Sequence, residues 1–254
     1  MPTISRHPPS MLVQIVDILL IELTNWRWSW RSMVIIATIA PLFSILALGF
    51  FARDSGPTTL AHILTGNAVL ALMFGTMNNV QGHFTFMRIH GTLDYFATLP
   101  IQRQYLILAV VVGFLLLSLP SLLVTVLVGA WLLDVALRVN LTLLVVIPCC
   151  ALPLASLGAL IGSSARTPQE ADSFSLLLTL LLVAIGPVIA PPERLPGYLL
   201  LLGYLSPATY AASAMRQALI GPITLRLWLD LAVLVGFTLL FFWLTVRRMD
   251  WRQR

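Results

Sequence analysis

Residues 105–132 read YLILAVVVGFLLLSLPSLLVTVLVGAWL, without one charged side chain. A helix needs roughly 20 apolar residues to cross a hydrocarbon core about 30 Å thick, and this run is longer than that. Backbone N–H and C=O groups in lipid must be satisfied within the chain, so a spanning segment is a helix or part of a closed barrel. A run this long and continuous is a helix. The same reading extends to residues 33–51, 60–80, 141–162, 174–190 and 227–246, giving six expected crossings. The whole chain agrees: 59% of its 254 residues are hydrophobic, only 10% are charged and the mean hydropathy is +0.93, against about 25% charged in a soluble domain. The expected fold is an all-α membrane protein, one membrane domain over residues 1–254.

Pro41, Pro120, Pro148, Pro153 and Pro187 fall inside these runs and are expected to kink the helices without ending them, as neighbouring helices allow in lipid. Six crossings put both termini on one side. That side carries Arg6, Arg27, Arg31, Arg88, Arg103, Arg166 and the arginines from Arg247 onward, against Arg53, Arg138, Arg194, Arg216 and Arg226 on the other. The excess marks the cytoplasmic face, so both termini are expected inside the cell membrane. Residues 11–24, with Asn25 just beyond, place Gln14, Asp17, Glu22 and Asn25 within one helical arc interrupted by Ile18 and Ile21. Two acids in so short a stretch read as a helix lying in the interface, running into a belt of Trp26, Arg27, Trp28, Trp30 and Arg31.

Two connections are long. The cytoplasmic one, residues 81–104, contains GTLDYFATLPIQRQ from Gly91 to Gln104. Gly91 permits a tight turn, Thr92 can cap, and Asp94 in the first turn suits the positive end of a helix dipole. Leu93, Phe96 and Ala97 share one face, and Pro100 stops the helix ahead of Arg103. A helix of two turns is marginal in water, so its apolar face needs something to pack on: the ends of the spans, headgroups or another protein. The outer connection, residues 191–226, is apolar but cut by Pro196, Gly197, Gly203, Pro207, Gly221 and Pro222. Its two pieces, 197–205 and 208–219, are each too short to span and are expected to re-enter the membrane from outside.

RIHGTLDYFATLPIQRQYLIL resembles the cytoplasmic segment between the second and third spans of the type-2 ATP-binding-cassette exporter permeases, on Gly91, Thr92, Leu93, Asp94, Thr98, Pro100 and Arg103. Ile89 and His90 stand where that family often has a glutamate and a basic residue. VIAPPERLPGYLLLLGYLSPATYAASAMRQALIG is similar to the same family's outer segment before the last span, on Leu195, Pro196, Tyr198, Ser206, Pro207, Thr209, Tyr210 and Arg216. The resemblance implies that residues 91–100 form a coupling helix, with Gly91, Thr92, Leu93, Asp94, Phe96, Ala97, Pro100 and Arg103 as its contact set. It also implies a permease subunit paired with a second copy or a paralogue and with two cytoplasmic ATPase subunits. ATP and magnesium would be bound by those partners. The chain itself has fifteen basic residues, all arginine, and a P-loop requires lysine.

Other features are weaker. Asn67 and Thr76, polar on the second span, either bond between helices or border a substrate path. Cys149 and Cys150, the two cysteines, suit packing as small apolar groups better than a disulfide or metal. His7, His62, His83 and His90 lack metal-ligand spacing, and no hydrolase signature occurs, so neither catalytic nor metal residues are expected, and no nucleic-acid partner. Ala151, Ala155, Gly158, Ala159 and Gly162 form a small-residue stripe for close helix packing, within the subunit or between two. The alternatives to a permease are an intramembrane lipid-modifying enzyme using His83, His90 and Asp94, and a membrane scaffold without transport. The scarcity of charge in the spans argues against an ion-coupled carrier. An apolar or amphipathic, lipid-like cargo fits an uncharged route, and the resemblance spans exporters of drugs, lipid-linked glycans and polysaccharides.

Overall fold

The computed structural model describes residues 11–25, 30–98 and 102–249, and every regular element among them is helical. The helices are α1 Met11–Asn25, α2 Trp30–Phe51, α3 Pro57–Leu72, α4 Asn79–Ile89, α5 Thr92–Thr98, α6 Arg103–Leu133, α7 Leu143–Ser164, α8 Pro168–Ala184, α9 Gly197–Gly203, α10 Pro207–Leu219 and α11 Leu225–Arg248. Five helical stretches are long and apolar enough to cross a membrane: Met33–Phe51, Pro57–Ile89, Arg103–Leu133, Leu143–Ser164 and Leu225–Arg248. Pro41, Pro120, Pro148 and Pro153 all lie inside helices that continue past them. The belt residues Trp26, Arg27 and Trp28 lie outside the described residues, as does Pro100.

The second crossing is longer than the 60–80 expected. A π-helical turn, Met73–Asn78, joins α3 to α4 without a break, and at 1.5 Å per residue the 33-residue rod measures about 50 Å. Gln81, Thr85 and Arg88 were expected in a connection because they are polar. They stay helical because Thr85 Oγ1 donates to Gln81 O on its own helix, and the α7–α8 hairpin satisfies Gln81 and Arg88. Gln81 Nε2 donates to Asp172 Oδ1 at 3.2 Å, and Arg88 Nη1 donates to the carbonyls of Ser163 and Ala165 at 2.8 and 2.9 Å. Those are free C-terminal carbonyls of α7, which a cation near a helix end satisfies well.

The fifth expected crossing, 174–190, is shifted toward the N terminus. Thr167 caps α8 by accepting from Glu170 N, while Glu170 Oε2 reaches back to Arg166 N, so the 17-residue helix starts at Pro168. It ends at Ala184, and Pro187 therefore follows the helix instead of kinking it. The residue before a proline is steered out of the helical region. Here that residue is Gly186, and its backbone passes so close to Thr209 and Gly203 that a Cβ would collide with Thr209 Oγ1.

The core is formed where α7 is surrounded by α3, α4, α10 and α11. A Cβ on Gly158 or Gly162 would run into the carbonyls of Met77 and Gln81, so the small-residue stripe of α7 serves contact with the α3–α4 rod inside the subunit. Cys150 is buried and its thiol faces the Ala211 carbonyl of α10 at 3.7 Å. α1 packs on α6 through Ile18, which is 1% exposed, with Gln14 buried beside it. The polar arc of α1 is thus partly turned inward, and Val13, Val16, Leu20 and Ile21 face outward. The bundle has two distinct ends. One gathers the ends of α4, α7 and α11 and the starts of α6 and α8; the other gathers the ends of α2 and α6, the start of α7 and the α9–α10 segment.

Candidate functional site

At the first end, Gly91 connects α4 to α5. Its φ of 69° is left-handed, a conformation that a side chain strains and glycine does not. Its N–H bonds Arg88 O at the end of α4, and its carbonyl accepts from Asp94 N and Tyr95 N at 3.1 and 3.2 Å. One residue therefore closes α4 and opens α5, and Thr92, expected to cap, is instead the first helical residue. The elbow is rigid because its carbonyls are used.

The apolar face of α5 is not offered outward. Leu93 and Phe96 are 5% and 7% exposed, and they join a cluster containing Val80, Phe84, Leu106 and Met249. Its own bundle is what this short helix packs on. Arg103, also expected in the contact set, donates from Nη1 to Met249 O at 3.1 Å and caps the end of α11. What faces outward is Asp94, Tyr95 and Thr98, with Tyr95 63% exposed, alongside Ile89 and Phe86. His90 stacks on Phe86 with ring centroids 3.9 Å apart, so an aromatic pair occupies the place where the resemblance led one to expect charges. His83 lies two helical turns earlier, about 10 Å along the axis, edge-on to Phe114 of α6. It does not meet His90, and the trio His83, His90 and Asp94 is not brought together.

Asn67 and Thr76 are fully buried. Thr76 donates to Leu72 O at 2.6 Å and Asn67 Nδ2 to Ile63 O at 2.8 Å, both on their own rod. Asn78, lower on the same rod, accepts from Ser175 and Thr179 of α8 at 2.5 and 3.4 Å. Helix-to-helix bonding thus explains Asn78 but not Asn67 or Thr76, and Asn67 Oδ1 is buried without a partner among the described residues; the two cavities at the opposite end are lined by other residues.

At the opposite end, α9 and α10 form the two short pieces expected from the sequence. Pro196 precedes α9, Pro207 begins α10, and Tyr198 is exposed. Tyr210 Oη donates to Tyr204 O at 2.9 Å, tying the connection between the two helices. α10 is inserted between α3, α7, α8 and α11. Ala211 reaches Cys150, seven residues inside α7, and the chain at Val188 and Ile189 lies against Gly66, nine residues inside α3. Arg216 donates from Nη2 to Pro187 O at 3.5 Å, just past the broken end of α8.

Sequence reasoning missed the buried carboxylate here. Asp230, 3% exposed on α11, accepts from Ser213 Oγ at 2.6 Å and Gln217 Nε2 at 3.3 Å. Gln217 Oε1 in turn accepts from Thr224 N and Oγ1. The signal was present: Ser213 and Gln217 are four apart on one face of α10, and an acid follows early in the next helix.

These elements define a class, a multi-pass α-helical membrane protein with a braced elbow at one end and inserted short helices at the other. The chain matches the model of the ABC-2 type transporter family over residues 14–220, and it belongs to that family, as a permease transmembrane subunit. Comparison with curated proteins yields no match.

Proposed function

We propose that the chain is the permease subunit of an ATP-driven exporter in the cell membrane, working with two cytoplasmic ATPase subunits and a second permease copy or paralogue. In this reading α8 with the turns after it makes the sixth crossing, both termini are cytoplasmic, and α9 and α10 re-enter the membrane from outside. ATP and magnesium belong to the partners. The cargo leaves outward along the contact between permeases, and an amphipathic, lipid-like, drug or glycan molecule suits it.

The observation that carries this reading is the α4–α5 elbow. Moving one body by closing another requires a stiff element that both bodies bear on. Gly91 locks the elbow, and Leu93 and Phe96 weld it to the bundle. Asp94, Tyr95 and Ile89 form the exposed surface that an ATPase cleft would grip. The resemblance assigned coupling to the whole 91–103 set; within it, Leu93, Phe96 and Arg103 transmit while Asp94 and Tyr95 touch.

The test is co-purification of the tagged chain from membranes with ATPase activity measured on the complex, for the wild type and for Tyr95→Ala combined with Ile89→Ala. The expected result is an ATP-binding-cassette ATPase recovered with the wild type and lost with the variant, whose own thermal unfolding is unchanged. Wild-type material that brings down no such ATPase would overturn the reading. Full recovery and stimulation with the variant would remove the exposed face from the coupling contact.

A further inference from the structure

The end of the bundle opposite the elbow holds a cavity of about 540 Å³, within the size range of small-ligand sites. Arg216, Arg226, Thr209 and Ser213 supply its polar wall, and Leu200 and Tyr204 the apolar one. No carboxylate is among its lining residues, though Glu193, next to the lining Pro192, and Asp230 both act electrostatically on Arg216. The nearest buried acid, Asp230, stands behind that wall with its Oδ2 already taken by Ser213 and Gln217.

Arg216 has five N–H donors. Its one hydrogen bond among the described residues is to Pro187 O, at the long limit of 3.5 Å, while its Nε is buried with no partner. Thr209 Oγ1 on the same wall is also buried with no partner. Buried polar groups are normally hydrogen-bonded, and leaving them unpaired is costly. A cationic wall with unused donors calls for an anion with several acceptor oxygens, the geometry that guanidinium groups recognise best. The apolar wall continues into exposed Leu201 and Leu205 on the outside of α9 and its end, which suits a molecule with a hydrocarbon part.

We propose that this cavity binds the phosphate or carboxylate headgroup of an anionic amphiphile, through Arg216 and Arg226. The shared chemistry is an anionic group joined to an acyl or other apolar chain, whether a bilayer phospholipid or a transported molecule. This requires only that the chain sits in a membrane; it depends neither on an ATPase partner nor on the direction of transport.

The test is native mass spectrometry of the full chain in a neutral detergent, titrated with phosphatidylglycerol, phosphatidylcholine or inorganic phosphate. Phosphatidylglycerol is expected to bind about tenfold more tightly than phosphatidylcholine, and inorganic phosphate not to displace it at millimolar concentration. Arg216→Gln should weaken phosphatidylglycerol binding about tenfold. Arg226→Gln, at an exposed position that leaves packing untouched, should weaken it several-fold. Arg138→Gln, exposed at the same end but outside the cavity, should not. Equal binding of the two lipids, unchanged binding in both cavity variants, or an equal loss in Arg138→Gln would each overturn the proposal. Displacement by inorganic phosphate would overturn its amphiphile part. Retention of phosphatidylglycerol by a wild type that captures no ATPase would separate this site from the exporter reading.

Discussion

The two ends of the bundle treat the same side chain in opposite ways. At the elbow end, Arg88 donates to two carbonyls at the end of α7, and Arg103 to one at the end of α11. Each cation finishes a helix. At the other end Arg216, partly buried like Arg88, holds a single long bond, and it borders a cavity. Arginine that caps a helix contributes to the fold. Arginine left with unused donors costs stability, a cost a bound anion would offset. One end is thus built to stay rigid and the other to receive something.

The largest effect expected from breaking this contrast is at the packing glycines. Gly162→Val drives a side chain into the Gln81 carbonyl and Phe84 Cβ, both on the α3–α4 rod, which cannot yield. Destabilisation above about 3 kcal/mol is expected, seen as loss of monodisperse protein in fluorescence-detected chromatography. Gly66→Val meets Val188 O and Ile189, which lie on irregular chain that can shift, so it should cost less than Gly162→Val. Equal losses would contradict the difference in stiffness.

Next come the side chains that weld the elbow. Leu93→Ala removes a buried side chain and should lower stability by about 2 to 3 kcal/mol, while Tyr95→Ala, exposed on the opposite face of α5, should change it by less than about 0.5 kcal/mol. Thermal unfolding of both in detergent reads this directly, and a Tyr95 effect as large as that of Leu93 would mean that α5 packs the other way round. Arg88→Ala strands the carbonyls of Ser163 and Ala165 and should cost about 2 kcal/mol. Arg216→Gln should fall within about 1 kcal/mol of wild type, because the partly buried side chain gives up only one hydrogen bond, and that at 3.5 Å. The smallest effect belongs to the cap of α8: Thr167→Ala should cost about 1 kcal/mol and should fray the start of the helix in hydrogen exchange.

Much of this was legible in residue order. Long uncharged runs located α2, α6, α7 and α11 to within a few residues, because hydrocarbon solvent imposes one rule on every position. Gly91 and the proline-cut pieces 197–205 and 208–219 were also readable, since backbone freedom and helix termination are local properties. The continuation of the second crossing through Gln81, Thr85 and Arg88 was not. Hydropathy reads polar residues as an exit from the helix, whereas the partners of Gln81 and Arg88 on α8 and α7 lie more than 70 residues away. The Pro187 prediction failed for the same reason: a proline tolerated in one span ends another when tertiary contacts crowd the glycine before it.

The sequence by itself determined the solvent, the helices and the two places where the chain departs from simple crossing, because these follow from side-chain hydrophobicity and backbone stereochemistry along a single strand of residues. Tertiary structure alone decided which way each face turned. Leu93 and Phe96 point into the bundle because Val80, Phe84, Leu106 and Met249 converge beneath them. Asp230 is buried because Ser213 and Gln217 arrive to pair it, and Arg216 borders a cavity with one long hydrogen bond, to Pro187 O. Apolar residues at helical spacing announce that they will be covered; what covers them is settled only when distant helices meet.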